Sequence, residues 1–125
     1  MLPDETRTVL IVDDAPLNRQ LLKDMMKKSP FRPVGEAANG EDAIRLYDEL
    51  QPDVVLMDIM MPGIDGIETA RLILQQHPQA RIVMCSTVSQ QSRIVEALRA
   101  GARDFIVKPI VPAKVLETLR KVCSS

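Results

Sequence analysis

Short apolar runs that end in polar residues alternate along the chain with segments of helical periodicity. The clearest run, Val54–Met57, leads into Asp58 and then into a segment with Pro62 and Gly63, which cannot continue a strand. An unbroken apolar run of this length is typical of a strand buried on both faces of a parallel sheet. The other predicted strands lie at 8–12, 31–38, 81–86 and 104–107.

A predicted helix follows every predicted strand. In the first helix we expect Leu17, Leu21 and Leu22 to face inward. We expect the same of Leu50 in the second helix and Leu98 in the fourth. The predicted helices span about 16–28, 41–50, 66–77, 90–100 and 112–122. The regular alternation of strand and helix predicts an α/β fold in which helices cover both faces of a parallel sheet.

Composition narrows the function classes. The 125 residues include 16 Lys and Arg against 17 Asp and Glu, a balance that argues against nucleic-acid or membrane binding through bulk charge. No apolar stretch approaches the length of a membrane span, and residues 1–5 lack a hydrophobic targeting core. Cys85 and Cys123 have no metal-ligand spacing. We therefore expect the chain, residues 1–125, to be one domain that acts in the cytoplasm. A monomer is a separate expectation, which the composition does not establish.

Polar residues with related chemistry follow four of the predicted strands. Asp13 and Asp14 end the first strand, Asp58 the third, Ser86 the fourth and Lys108 the fifth. The carboxyl ends of parallel strands meet at one edge of the sheet, where ligands bind in open α/β folds. Carboxylates without His or Cys favour a hard cation such as Mg²⁺, and a lysine and a hydroxyl suit a phosphoryl group. This set predicts a site for phosphoryl transfer to an aspartate.

Each of these residues also has a simpler interpretation. Asp14 can cap the first helix, Ser86 can cap the fourth, and Lys108 can be a solvated loop charge. Their joint placement at strand ends favours a shared site over three coincidences. If the carboxylates crowd one another, Asp13→Ala is expected to stabilise the metal-free protein.

Three segments together resemble the response-regulator receiver domain over about residues 7–123. They are Ile11–Asp14, Met57–Gly66 and Gly101–Pro109, with Ser86 at the family's hydroxyl position. The resemblance implies a flavodoxin-like fold: a doubly wound, five-stranded parallel sheet of order 2-1-3-4-5 with five helices.

The resemblance also implies a role for each carboxylate. Asp58 is expected to be the phosphoacceptor, taking a phosphoryl group from a sensor histidine kinase. Asp13, Asp14, Asp58 and the backbone carbonyl of Met60 are expected to bind Mg²⁺, with Mn²⁺ as a substitute. The side chain of Met60 is expected to line the approach of water to the phosphoryl group.

Further positions are expected to bind or respond to the phosphoryl group. Ser86 and Lys108 should contact it, Thr87 should narrow access to it, and Phe105 occupies the family's aromatic switch position. The bond between Lys108 and Pro109 is expected to be a cis peptide.

Phosphorylation is then expected to change the surface formed by 90–100, 104–107 and 112–122. The physical basis is a population shift between two packings, and the target resembles that of single-domain chemotaxis regulators, for example a flagellar motor switch. No direct nucleic-acid or membrane partner is expected, and no catalysis on a separate substrate. The basic residues of this surface either form a solvated face or bind an acidic partner; they are Arg93, Arg99, Lys114, Arg120 and Lys121.

Three alternatives stay open at this point. The chain resembles a stand-alone receiver because it ends soon after its last predicted helix, but a receiver cut from a DNA-binding regulator or a methylesterase has the same motifs. An aspartyl-phosphate phosphohydrolase would need an acid two residues after Asp58, where Met60 stands. A pure interaction module would have no use for the acidic site. The single histidine, His77, is interpreted as a turn residue without an acidic neighbour.

Overall fold

The fold is a parallel sheet with helices on both faces, and the computed structural model describes residues 6–124 apart from the side chain of Val88. The strands are β1 (Arg7–Val12), β2 (Phe31–Ala37), β3 (Val54–Asp58), β4 (Ile82–Ser86) and β5 (Asp104–Val107). The helices are α1 (Pro16–Met26), α2 (Gly40–Leu50), α3 (Gly66–Gln76), α4 (Gln91–Ala100) and α5 (Pro112–Cys123), and a short 3₁₀ helix, Val88–Gln90, precedes α4.

The sheet order is β2-β1-β3-β4-β5, and every neighbouring pair is parallel, which confirms the predicted topology. The register aligns the carboxyl ends of the central strands. Val12 lies opposite Met57, Asp58 opposite Cys85 and Ser86 opposite Val107. The residues that follow β1 and end β3 and β4 therefore reach the same edge.

Each face of the sheet has its own apolar core. The cluster under α2, α3 and α4 includes Leu10, Met57 and Ile73, and the cluster under α1 and α5 includes Leu56 and Leu119. Because consecutive strand residues point to opposite faces, β3 contributes to both clusters and is buried along its whole length. Removing a large apolar side chain from either cluster is expected to cost roughly 2–5 kcal/mol.

The inward face of α1 differs from the prediction. Leu17 is 71 % exposed and Leu21 48 % exposed, whereas Leu22 and Met26 are buried. The reason is that Arg19 is turned toward the sheet edge in the first turn, where it hydrogen-bonds to the loop after β1. Polar contacts with that loop, rather than apolar burial, set the rotation of this end of the helix.

Two other inward predictions are also wrong. Leu50 at the end of α2 is 40 % exposed, and Leu98 on α4 is 39 % exposed. Helix α4 buries only Ile94 and the small Ala97, so its contact with the sheet is narrow and leaves Leu98 at the margin. The α4 face beyond this contact also exposes Val95.

Candidate functional site

The acidic pair lies in the loop between β1 and α1. Asp13 is buried, whereas Asp14 is exposed. Asp13 Oδ1 accepts a hydrogen bond from the Ala15 backbone N–H at 2.9 Å, and its Oδ2 lies 3.4 Å from Asn18 Nδ2. The N-cap residue of α1 is Ala15, so the interpretation of Asp14 as the helix cap is wrong. Asp14 is thereby left to face the sheet edge.

Asp58 ends β3 in a buried position, 6 % exposed. Burial raises the pKa of Asp58 above its ordinary value, the Lys108 ammonium opposes this rise, and the charge of Asp13 adds to it. Gly66, at the start of α3, packs so closely on the Asp58 carbonyl that a Cβ at position 66 would overlap it. A glycine is therefore required for the loop after β3 to return beside the strand end.

The three carboxylates converge. Asp13, Asp14 and Asp58 each offer an oxygen, and these oxygens lie within 4.8 Å of one another. Oxygen-only donors at this spacing fit a hard divalent cation and would repel one another without a positive charge between them. The residues that the sequence predicted as carboxylate ligands are thus brought together as a group that could hold a metal ion.

Lys108 supplies a positive charge to the same site. Its Nζ lies 3.3 Å from Asp58 Oδ1 and 3.5 Å from Asp13 Oδ2. Although burial lowers the pKa of Lys108, the carboxylates of Asp58 and Asp13 raise it above its ordinary value overall. The Lys108–Pro109 bond is cis, and the Lys108 backbone N–H donates to the Ser86 carbonyl at 2.7 Å.

The hydroxyl of Ser86 is buried at the end of β4 and, among the described residues, its Oγ has no hydrogen-bond partner. A buried hydroxyl without a partner costs free energy, and such groups mark sites where a further ligand atom can bind. Thr87 behaves differently. Its Oγ1 lies 2.9 Å from Ser89 Oγ, and its backbone N–H donates to Gln90 Oε1 at 2.8 Å. Thr87 is therefore the N-cap of the 3₁₀ helix, and its hydroxyl contacts Ser89.

The remaining predicted site residues lie around this group. Met60 follows β3 with a side chain that is 59 % exposed, so it stands at the solvent side of the site. Phe105 on β5 is 38 % exposed and lines a groove together with Lys114 and Lys121 of α5. On β4, directly before Ser86, burial raises the pKa of the Cys85 thiol to about 12, so this cysteine is an unreactive core residue.

Sequence reasoning missed two supporting contacts. Arg19 Nη1 donates to the Asp13 carbonyl at 2.6 Å. Arg93 on α4 pairs at 2.6 Å with Asp65, whose Oδ1 also caps α3. Burial opposes the shift, but the Glu68 N–H and the Arg93 guanidinium hold the pKa of Asp65 below its ordinary value. The polar Arg19, one turn after the acidic pair, is a signal that could have been recognised.

One prediction about His77 is wrong. Its Nε2 lies 3.3 Å from Asp48 Oδ1, so the histidine does have an acidic neighbour, and its ring packs against Tyr47 at 4.9 Å between centroids. Asp48 and Tyr47 are on α2, far along the sequence from His77, so the pairing depends on how α2 and α3 pack.

The basic residues of the α4–β5–α5 surface are partly paired. Arg93 contacts Asp65 and Glu96, and Lys121 lies 2.8 Å from Asp104. These pairs reduce the positive potential that the sequence suggested for this surface. Within residues 6–124, no helix has both the length and the apolar character needed to cross a bilayer.

The topology, with acidic, ammonium and hydroxyl groups at the carboxyl edge of its parallel strands, defines the class of phosphorylation-responsive receiver domains. The sequence profile of the response regulator receiver domain matches residues 9–120, and the chain belongs to this family.

Among its relatives, the chemotaxis protein CheY of Thermotoga maritima is 48 % identical over 116 residues, which cover 93 % of this chain and 97 % of that protein. The chemotaxis protein CheY of Bacillus subtilis is 50 % identical over 113 residues, 90 % of this chain and 94 % of that protein. The chain is therefore a receiver domain of the CheY type.

Solved structures of response regulators have the same fold as this chain. The CheX–CheY–BeF₃–Mg²⁺ complex of Borrelia burgdorferi has a chain with a TM-score of 0.89 and 32 % identity, covering 96 % of each chain. The response regulator domain of Thermotoga maritima CheB has a TM-score of 0.88 and 36 % identity, covering 96 % of this chain and 98 % of that one.

Proposed function

We propose that the chain, residues 1–125, is one signalling domain that accepts a phosphoryl group on Asp58 from a sensor histidine kinase. The observation that carries this proposal is the convergence of three carboxylates, the Lys108 ammonium and the buried Ser86 hydroxyl on one edge of the sheet. A carboxylate oxygen of Asp58 attacks phosphorus, the P–N bond of the phosphohistidine breaks, and the imidazole leaves with the electron pair.

Mg²⁺, with Mn²⁺ as a substitute, is the cofactor that fits the donors. Asp13, Asp14, Asp58 and the Met60 backbone carbonyl would hold it. Their oxygen-only chemistry and the spacing of the three carboxylates support this assignment. When bound, the cation offsets the charge that develops on the transferring oxygens.

The side chains around Asp58 have separate tasks in this proposal. The Lys108 ammonium contacts the Asp58 carboxylate before phosphorylation, and it pairs with the negatively charged phosphoryl oxygens afterwards. Ser86 donates its hydroxyl hydrogen bond to a phosphoryl oxygen. Thr87, at the start of the 3₁₀ helix, limits access to the site from the side of α4. Met60, exposed beside Asp58, lies on the approach of the hydrolytic water.

The output is a change in the surface of α4, β5 and α5. The Ser86 carbonyl accepts a hydrogen bond from the Lys108 N–H, so displacement of the loop after β4 reaches the loop after β5 directly. Phe105, at the aromatic switch position, is 38 % exposed and turns inward as that loop moves. The phosphoryl group adds charge-assisted hydrogen bonds to one of two packings and thereby shifts the population toward it.

Phosphorylation of Asp58 and the resulting surface change imply two protein partners. They are a sensor histidine kinase as donor and a downstream protein, such as a flagellar motor switch in chemotaxis control, as target. We propose a monomer that binds neither nucleic acid nor membrane directly, has no separate substrate, and acts in the cytoplasm. Two buried free thiols, Cys85 and Cys123, are consistent with a reducing compartment. A phosphohydrolase is not favoured, because Met60 occupies the position where its acid would stand.

The test is incubation with Mg²⁺ and a small phosphodonor, followed by intact-mass measurement. The wild type should gain one phosphoryl group that is stable in acid and labile in base. Asp58→Asn should gain none, and the matched control Asp24→Asn, an exposed aspartate of α1, should be labelled as the wild type is. Equal labelling of Asp58→Asn would rule out the proposed phosphoacceptor.

A further inference from the structure

Arg19 on α1 connects the acidic loop to the edge strand of the sheet. Its Nη1 donates to the Asp13 carbonyl at 2.6 Å, and its Nε pairs with Glu36 Oε1 at 3.0 Å. The other Glu36 oxygen accepts from Lys23 Nζ at 2.7 Å. The Arg19 side chain is 17 % exposed, so its guanidinium is fixed on two sides in a sheltered position.

These contacts hold the Asp13 peptide where regular strand pairing ends. The Asp13 N–H donates to the Ala37 carbonyl at 3.0 Å, and its carbonyl accepts from Arg19. The Asp13 side chain is held separately by the Ala15 N–H. Because β1 ends at Val12, Arg19 is the contact that fixes the peptide between the two acidic residues as the chain leaves the sheet.

We propose that Arg19, anchored by Glu36, is a positioning residue for the cation site, holding the turn of Asp13 and Asp14 so that both carboxylates converge on Asp58. The inference rests on the proposed function and deepens it. Arg19 contacts the main chain of a ligand residue, so it acts through the position of that residue. Outer contacts of this kind often change metal affinity by about 10- to 100-fold when they are removed.

The charge of Arg19 would act in the opposite direction. A guanidinium beside a cation site repels the cation, so a purely electrostatic role predicts that removing Arg19 tightens Mg²⁺ binding. A positioning role predicts weaker binding. The sign of the change therefore separates the two explanations.

The experiment is calorimetric titration of the full chain with Mg²⁺ alone, without any phosphodonor. Arg19→Met should weaken Mg²⁺ binding about tenfold. Arg19→Lys keeps the charge but cannot bridge the Asp13 carbonyl and Glu36, so it should also weaken Mg²⁺ binding, by a smaller factor than Arg19→Met does. Lys23→Met is the matched control, because it removes one positive charge from the same helix and the same Glu36 without contacting Asp13. It should bind Mg²⁺ at least as tightly as the wild type.

The possible failures are distinguishable. If both Arg19 variants bind Mg²⁺ as tightly as the wild type or more tightly, the positioning role is overturned while the proposed function stands. If the wild type shows no Mg²⁺ binding, the metal site of the proposed function fails together with it. Should Arg19→Met fail to fold in a thermal melt, the charge-conserving Arg19→Lys decides the question.

Discussion

Two sides of the proposed phosphoacceptor site are built differently. The acidic side, the loop and first helical turn from Asp13 to Arg19, is closely hydrogen-bonded through Ala15 and Asn18. The hydroxyl side runs from Ser86 to Gln90. There, within the described part of the chain, the buried Ser86 Oγ has no partner, while the next residue is committed to the 3₁₀ helix.

The difference assigns the two sides different tasks. Three carboxylates repel one another, so the acidic side needs fixed contacts to keep them together before a cation binds. The hydroxyl side has a donor, Ser86 Oγ, that in the proposed function gains a partner only when a phosphoryl oxygen is present. In the proposed function, the hydrogen-bonded acidic side binds the cation, and the hydroxyl side, which has unused hydrogen-bonding capacity, responds to the phosphoryl group.

The largest expected effect on stability comes from removing the Lys108 ammonium, which contacts the carboxylates of Asp13 and Asp58. Lys108→Met leaves Asp58 buried without its ammonium and should lower the free energy of unfolding in EDTA by about 2 kcal/mol, less than a fully buried pair because Lys108 is 22 % exposed. Added Mg²⁺ should restore part of the loss. Urea unfolding measures both. Lys114→Met, at an exposed pair on α5, is the control and should change little; equal losses in the two variants would contradict this picture.

A smaller effect should have opposite signs at Asp58 and Asp13. In EDTA at neutral pH, Asp58→Asn should stabilise the protein by about 1 kcal/mol, because burial disfavours the Asp58 charge. Asp13→Ala should destabilise it by about 1 kcal/mol, since Oδ1 accepts a hydrogen bond from the Ala15 N–H. The crowding of the carboxylates by itself predicts the opposite sign for Asp13→Ala, so the measured sign shows which of the two effects is larger.

The effect at Asp58 should depend on pH. Its folded-state pKa lies above the unfolded value, so its contribution to stability is fully present below the unfolded pKa and is lost as pH rises through the folded pKa. The advantage of Asp58→Asn should therefore grow from acid to neutral pH. Melting temperatures across this range check it, and an advantage that is largest in acid would contradict the burial argument.

The smallest effect on stability should come from the hydroxyl side. Ser86→Ala removes a buried hydroxyl for which the described residues offer no hydrogen-bond partner, so the free energy of unfolding should change by less than about 0.5 kcal/mol. Its neighbour Thr87→Val removes the exposed N-cap hydroxyl of the 3₁₀ helix and should cost about 0.5 kcal/mol, the low end for a helix cap. Beryllofluoride with Mg²⁺ should then raise the melting temperature of Ser86→Ala less than that of the wild type. An equal rise would mean that Ser86 does not contact the phosphoryl group.

The sequence by itself determined the sheet, its order through the family resemblance, and the residues that reach its carboxyl edge. Buried strands leave a local record, because an apolar run such as Val54–Met57 is needed wherever a strand is covered on both faces. The residue after such a run is then placed by the strand direction alone, which is why Asp58 could be recognised.

Only the tertiary structure decided which contacts support those residues. The helical spacing allows either Leu17 or Arg19 to face inward. In the structure Arg19 does so and donates to the Asp13 carbonyl, whereas Leu17 is exposed. The pairing of His77 with Asp48 depends in the same way on the packing of two helices. Long-range hydrogen bonds depend on the rotation and spacing of packed elements, which a one-dimensional pattern of apolar and polar residues does not record.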